Sequence, residues 1–187
     1  GYYCPTVEDA EKLAFSFLKD GQTVSFGGSM TLEDTGMLTA LRHDPGITLL
    51  DRAQAKTPEE TKKIYHDALS SDFYFMSTNA ITKDGELVNI DGTGNRVAAL
   101  IYGPEHVIVM AGMNKVAANV DEALSRVHGT ATPMNCKRLG KNTPCSATGV
   151  CSDCLSPDCI CNQVVITRRS GIEGRIKVIL IGEELGY

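Results

Sequence analysis

The chain has 187 residues, with 18 Lys and Arg against 23 Asp and Glu, a formal charge of -5 and a pI near 5.4. That balance excludes the basic stripe of a nucleic-acid or anionic-membrane binder, and no apolar stretch approaches the roughly 20 residues of a membrane-spanning helix. One domain over residues 1–187 is expected, long enough to bury a core without covalent staples.

After a short head, "TVEDAEKLAFSFLKDG" opens on Thr6 and spaces Ala10, Leu13, Ala14 and Phe17 at helical intervals, which predicts a capped amphipathic helix ending near Gly21. "TVSF" reads as a strand running into a glycine turn and the helix "GGSMTLEDTGMLTALR". The strand "ITLLD", the helix "TPEETKKIYHDALSS" from Pro58 and the apolar run "FYFMST" repeat that alternation. In "AITKDGELVNIDG", Asp84 and Gly85 between two alternating runs predict a type I′ hairpin. A helix at "NRVAALIYG", the strand "HVIVMAG" and a helix over "NKVAANVDEALSRVHG" follow, and "QVVITRR" and "IKVILIG" supply late strands. The fold class expected is α/β: a Rossmann-like, mainly parallel sheet flanked by helices, with a β-hairpin and a cysteine-rich excursion over residues 136–162.

Three strand-to-helix corners carry candidate chemistry. Gly27 and Gly28 open main-chain N–H groups to a small anion, with Ser29 adding a hydroxyl; a plain tight turn is the alternative. In "NIDGTGNR", Asn89, Asp91, Asn95 and Arg96 suit a hydroxy acid or sugar-like ligand, unless Asp91 simply caps the helix and pairs with Arg96. At "AGMNK", Asn114 reads as a helix N-cap with Lys115 beside it. Corners of this kind gather where ligands bind in α/β folds, so a small carboxylate or phosphate-bearing ligand is expected there, with Asp91 or Glu183 as candidate acid or base. The four histidines are scattered without metal spacing.

The strongest chemical signal is "TPCSATGVCSDCLSPDCICN". Cys145, Cys151, Cys154 and Cys161 are spaced C-x5-C-x2-C-x6-C, with Cys159 and Cys136 as further thiols and Cys4 far off. Four thiolates suit an iron-sulfur cluster or zinc. A single C-x2-C knuckle, where zinc ribbons have two, tilts the reading toward a cluster. Disulfides or free thiols, with a Cys151–Cys154 bridge among them, are the alternative. The chain opens on Gly1, so compartment is read from cysteine chemistry: an odd count of seven fits a reducing cytoplasm better than a secreted disulfide framework.

Taken together, "SFGGSMTLEDTG", "NIDGTGNRVAALIYGP", "VIVMAGMNK", "TPCSATGVCSDC" and "VILIGEELGY" resemble the lactate utilization (LUD) domain family, which includes the LutC-like proteins of bacterial lactate oxidation. The resemblance implies a fold like that of the NagB, RpiA and CoA-transferase superfamily, with a ligand cleft at the strand ends. It also implies a link to lactate oxidation alongside iron-sulfur proteins, which would be the redox partners. Carried over, the family's recurrent positions are Gly27, Gly28 and Ser29; Asp91, Gly92, Asn95 and Arg96; and Asn114 and Lys115. The thiols of its cysteine-bearing branch match Cys145, Cys151, Cys154 and Cys161, while Cys159 and Cys136 stand outside the pattern. The function expected is a redox accessory protein holding a cluster beside a small-anion cleft. The alternative is an enzyme of the same superfamily acting on a small carboxylate or phosphorylated substrate, with structural cysteines or zinc.

Overall fold

A computed structural model describes all of residues 1–187, whose contacts gather into two compact units. The first comprises Gly1–Ser77, Ala98–Asn114 and Ser170–Gly186; the second comprises Thr78–Val97, Lys115–Arg169 and Tyr187.

The first unit is built on six strands, β1 (Tyr2–Cys4), β2 (Thr23–Phe26), β3 (Thr48–Leu50), β4 (Phe73–Met76), β7 (His106–Gly112) and β10 (Ile176–Ile181). They lie in the order β1-β10-β7-β4-β2-β3 and every pair is parallel. Central strands covered on both faces need apolar residues at every position, and β4 "FYFM" is buried throughout. The core gathers Val24, Leu32, Met37, Leu41, Phe75, Ile108, Met110, Ile179 and Ile181. The chain leaves β2 for β3 and then returns past β2 to β4, so the β2/β4 crevice is where the connections reverse, the position where open α/β sheets bind ligands.

The helices of this unit are α1 (Val7–Phe15), α2 (Met30–Asp34), α3 (Met37–His43) and α4 (Pro58–Ala68). Thr6 and Thr57 cap α1 and α4 by accepting from the N–H groups of Asp9 and Glu60. The single helix expected after Gly28 is two short ones, because Gly36 adopts a left-handed φ of 73° and starts α3 afresh. The head is not bare: β1 adds to the edge of the sheet by pairing with β10. The buried Arg175 donates to the carbonyls of Ala99, Leu100 and Pro104, satisfying oxygens at the end of α5 (Asn95–Ile101).

The second unit holds a mixed sheet, β8-β5-β6-β9, of β5 (Ala80–Thr82), β6 (Leu87–Asp91), β8 (Val116–Ala117) and β9 (Gln163–Thr167). β5 and β6 are the expected hairpin, antiparallel with Ala80 opposite Val88. Its turn differs from the one expected. Gly85 N–H donates to the Thr82 carbonyl and Thr82 N–H to the Glu86 carbonyl, and Gly85 alone of the turn has positive φ, at 87°. That is a three-residue loop with a glycine bulge, since type I′ needs positive φ at both central residues.

The long helix expected from Asn114 is also revised. Residues Met113–Lys115 form a 3-10 turn, and α6 (Val120–Arg126) starts at Asn119, whose side chain accepts from Glu122 N–H. Asn114 is instead tied to the chain end, accepting from Leu185 N–H and donating to the Gly186 carbonyl. A π-helical turn, Val127–Ala131, joins α6 to α7 (Thr132–Arg138), and α8 (Pro144–Thr148) follows, capped by Thr143. The core of this unit is smaller: Ala80, Val88, Ile90, Ala117, Ala123, Val127 and Ala131, with Cys161 packed against it. No helix of the chain is long and apolar enough to cross a membrane.

Candidate functional site

The cysteine-rich excursion folds around a space. In the second unit a cavity of about 290 Å³ is lined by Cys136, Cys145, Cys151, Cys154, Cys159 and Cys161, together with His128, Thr132 and Thr143. Six of the chain's seven cysteines therefore face one volume, and the seventh, Cys4, is buried in the first unit. Every cysteine is a free thiol. No group of three or more Cys, His, Asp and Glu side chains closes on a single point tightly enough to hold one ion; the sulfurs surround a volume instead.

Local structure explains how each donor arrives. His128, Thr132 and Cys136 are four residues apart along the π turn and α7, so they fall on one stripe of the helix. Pro144 at the start of α8 fixes its first turn and sets Cys145 against the Thr143 cap, sulfur to Oγ1 at 3.3 Å. The loop that follows carries Cys151, Cys154 and Cys159 without helix or strand, and Cys161 enters just before β9.

Some of these thiols have close polar neighbours. Cys161 N–H donates to Cys159 Sγ at 3.4 Å. Cys151 Sγ lies 3.4 Å from His128 Nδ1. Burial pushes the Cys161 thiol up to about 11, with a hydrogen bond to Thr132 opposing and Cys159 adding to it. Cys136 is raised as well, chiefly by burial, against the opposing hydrogen bond from Thr143. Soft sulfur donors with one imidazole form the set that thiophilic metals take.

The second unit also holds a polar cluster on β6 and α5. Arg96, 9% exposed, donates to Asn89 Oδ1, to Asn79 Oδ1 at 2.9 Å and to the Ile90 carbonyl at 3.1 Å, and lies 3.4 Å from Asp91 Oδ1. Asp91 Oδ2 accepts from Val97 N–H at 3.4 Å, so Asp91 both caps α5 and pairs with Arg96. Lys115, 4% exposed, donates to the Thr78 carbonyl at 3.3 Å, and Arg126 donates to the Asn79 carbonyl at 2.7 Å. Burial lowers the Arg126 guanidinium. Asn89 is fully buried, and its Nδ2 has no hydrogen-bond partner. Gly92 lies against Ile160, and Asn95 opens α5.

In the first unit, Gly27, Gly28 and Ser29 follow β2 at the crevice described above. Gly27 N–H is taken by the Phe75 carbonyl at 2.9 Å and Ser29 Oγ by Leu32 N–H at 3.3 Å, while Gly28 packs against the Arg52 guanidinium. Arg52 lies over the Tyr65 ring, 5.9 Å from its centre. The exposed Glu183 accepts from Val7 N–H at 2.8 Å, at the start of α1. The predicted anion-binding residues are thus divided: Gly27–Ser29, Asn114 and Glu183 in the first unit, Asp91–Arg96 and Lys115 in the second.

Sequence reading missed His128, Asn79, Arg126 and Arg52, whereas Asn89 was already grouped with Asp91 and Arg96. His128 had one available signal, its spacing of four and eight residues from Thr132 and Cys136, the pattern of a single helix face.

Comparison with known proteins adds a family. The LUD domain model matches residues 1–181. The chain belongs to the LUD domain family. No curated protein matches it. Among solved structures, it is similar to a DUF162 family protein from Deinococcus radiodurans, at 13% identity and a TM-score of 0.39 over 94% of each chain. It is similar also to eIF2B delta from Chaetomium thermophilum, at 20% identity and a TM-score of 0.39 over 64% of this chain and 50% of that one. With ribose 5-phosphate isomerase A from Methanocaldococcus jannaschii the identity is 16% and the TM-score 0.37, over 60% of this chain and 54% of the other. The LUD domain chain thus spans about half the length of the eIF2B delta and isomerase chains it resembles.

Proposed function

We propose that this LUD domain is a redox accessory protein of lactate oxidation that carries an iron-sulfur cluster in the thiol cavity of its second unit. The observation that carries the reading is the convergence of Cys145, Cys151, Cys154 and Cys161, with two further thiols, around about 290 Å³. Tetrahedral zinc draws four sulfurs to roughly 3.8 Å from one another, given Zn–S bonds of about 2.3 Å, whereas a polynuclear cluster needs ligands spread around a volume. Zinc is the alternative occupant, and an iron-sulfur redox protein the partner. Reconstitution with iron and sulfide under anaerobic conditions is expected to give a brown protein with about four iron and four sulfide per chain. A colourless, iron-free protein after that treatment overturns the reading.

A second reading has its own observation. The orphaned Nδ2 of buried Asn89, beside Arg96 and in the same unit as Lys115 and Arg126, favours an enzyme or binding site for a small carboxylate or phosphorylated ligand. A ligand that binds only the folded chain raises its melting temperature. Lactate, glycolate and phosphate are the probes. A shift abolished by Arg96→Gln supports the reading, and no shift with any of the three counts against it.

A further inference from the structure

The sheet edge of the first unit carries a cation without a counter-ion. β2 and β3 are parallel with Ser25 opposite Leu50, so the chain leaves the two strands side by side, through Gly27–Gly28 on one and Asp51–Arg52 on the other. Asp51, 3% exposed, accepts from Ala53 N–H and from Arg42 Nε, each at 2.8 Å, which fixes the 3-10 turn that opens on Arg52. Asp51 thereby neutralises Arg42 and leaves Arg52, its neighbour in sequence, half-buried and with no ion pair.

A guanidinium carries several N–H donors, and a single one from Arg52, on Nη1, reaches a protein acceptor, the Tyr65 hydroxyl on α4 at 3.4 Å. The Tyr65 ring supports the group on one side and Gly28 on another, where an added Cβ would stand 2.5 Å from Nη2. Arg52 is therefore held in place with donors unfilled, beside the β2/β4 reversal at the carboxyl ends of the strands, where open α/β sheets bind ligands. A planar fork held in this way matches the paired oxygens of a carboxylate or phosphate.

We propose that Arg52 and Tyr65 form an oxyanion-binding site of the first unit, which takes the carboxylate or phosphate group of a small molecule. Arg52 supplies the charge and the fork. The Tyr65 hydroxyl, which accepts from Nη1, has its own proton to donate to the same anion. The site shares no residue with the Arg96 cluster of the second unit and goes beyond that reading.

The test is arginine modification by phenylglyoxal, mapped residue by residue by mass spectrometry, with inorganic phosphate or lactate as the protecting anion. One of the two is expected to slow modification of Arg52 at least about fivefold and to leave the exposed Arg168 unchanged. In titration calorimetry on Arg96→Gln protein, which isolates the first unit's site, Arg52→Met and Gly28→Ala should each weaken that anion about tenfold, the alanine by displacing the guanidinium, and Tyr65→Phe about threefold. The protection measurement uses the wild-type chain and decides the matter if a variant fails to fold. Equal rates at Arg52 with and without both anions, or unchanged affinity in Arg52→Met and Gly28→Ala, overturn the proposal. Protection confined to Arg96 overturns it and leaves the second unit's site standing; protection confined to Arg52 does the reverse.

Discussion

The two units spend their buried volume differently. In the first, large apolar side chains on parallel strands, Val24, Phe75, Ile108, Met110, Ile179 and Ile181 among them, are fully buried, alongside polar groups such as Thr31, Asp51 and Arg175. In the second, buried or half-buried positions go to Arg96, Lys115, Asn89 and the cavity thiols, and the apolar core is largely alanine and valine. Burying a methylene contributes about 0.8 kcal/mol, so the larger apolar side chains of the first core contribute more hydrophobic stabilisation than the alanines and valines of the second.

The sharpest way to break that contrast is in the first core. Phe75→Ala, at a fully buried strand position, should cost about 3–5 kcal/mol in chemical denaturation. Next comes Arg175→Met, which strips the donor from three carbonyls and should cost about 3 kcal/mol, read as a lower midpoint with an unchanged slope. Cys154→Ser, in the thiol cavity, should change the metal-free protein by less than about 1 kcal/mol and yet remove the added thermal stability expected of the proposed metal centre. A cost for Cys154→Ser as large as that for Phe75→Ala would erase the distinction between the units.

The Cys161 thiol gives a pH-dependent form of the same contrast. Its folded value of about 11 lies above the ordinary 9.0, so the folded state holds the proton more tightly than the unfolded chain. Stability should therefore decline from about pH 9 to about pH 11 and level off above, and Cys161→Ser should flatten the slope across that interval. The smallest effect is expected at the exposed Lys63–Asp67 pair of α4, where Lys63→Ala should cost no more than about 0.5 kcal/mol.

The parallel sheet was legible because β4 and β7 are apolar runs too short for helices, bounded by turns and alternating with amphipathic helices. β1 was not, since Tyr2–Cys4 is a three-residue edge whose only partner, β10, lies over 170 residues away, and nothing local announces the pairing. The helix start at Asn114 was misplaced for a related reason: its side chain is a plausible cap, but Leu185 and Gly186 take it. At the thiol cavity, spacing singled out Cys145, Cys151, Cys154 and Cys161 because they crowd together in sequence. Cys136 and His128 enter from a helix face, and linear spacing carries no information about which face turns inward.

The π turn of Val127–Ala131 has a consequence for how such a site is gained and lost. An α-helix carries each fourth residue about 40° past a full turn, and a π turn, closing its hydrogen bond one residue later, drifts the other way. The two drifts offset each other, which keeps His128 and Cys136 in line across eight positions. Such a turn is, in effect, one inserted residue. Deleting Gly129 is expected to restore a uniform helix and to swing the imidazole away from Cys151, so a one-residue change in length decides whether His128 faces the cavity.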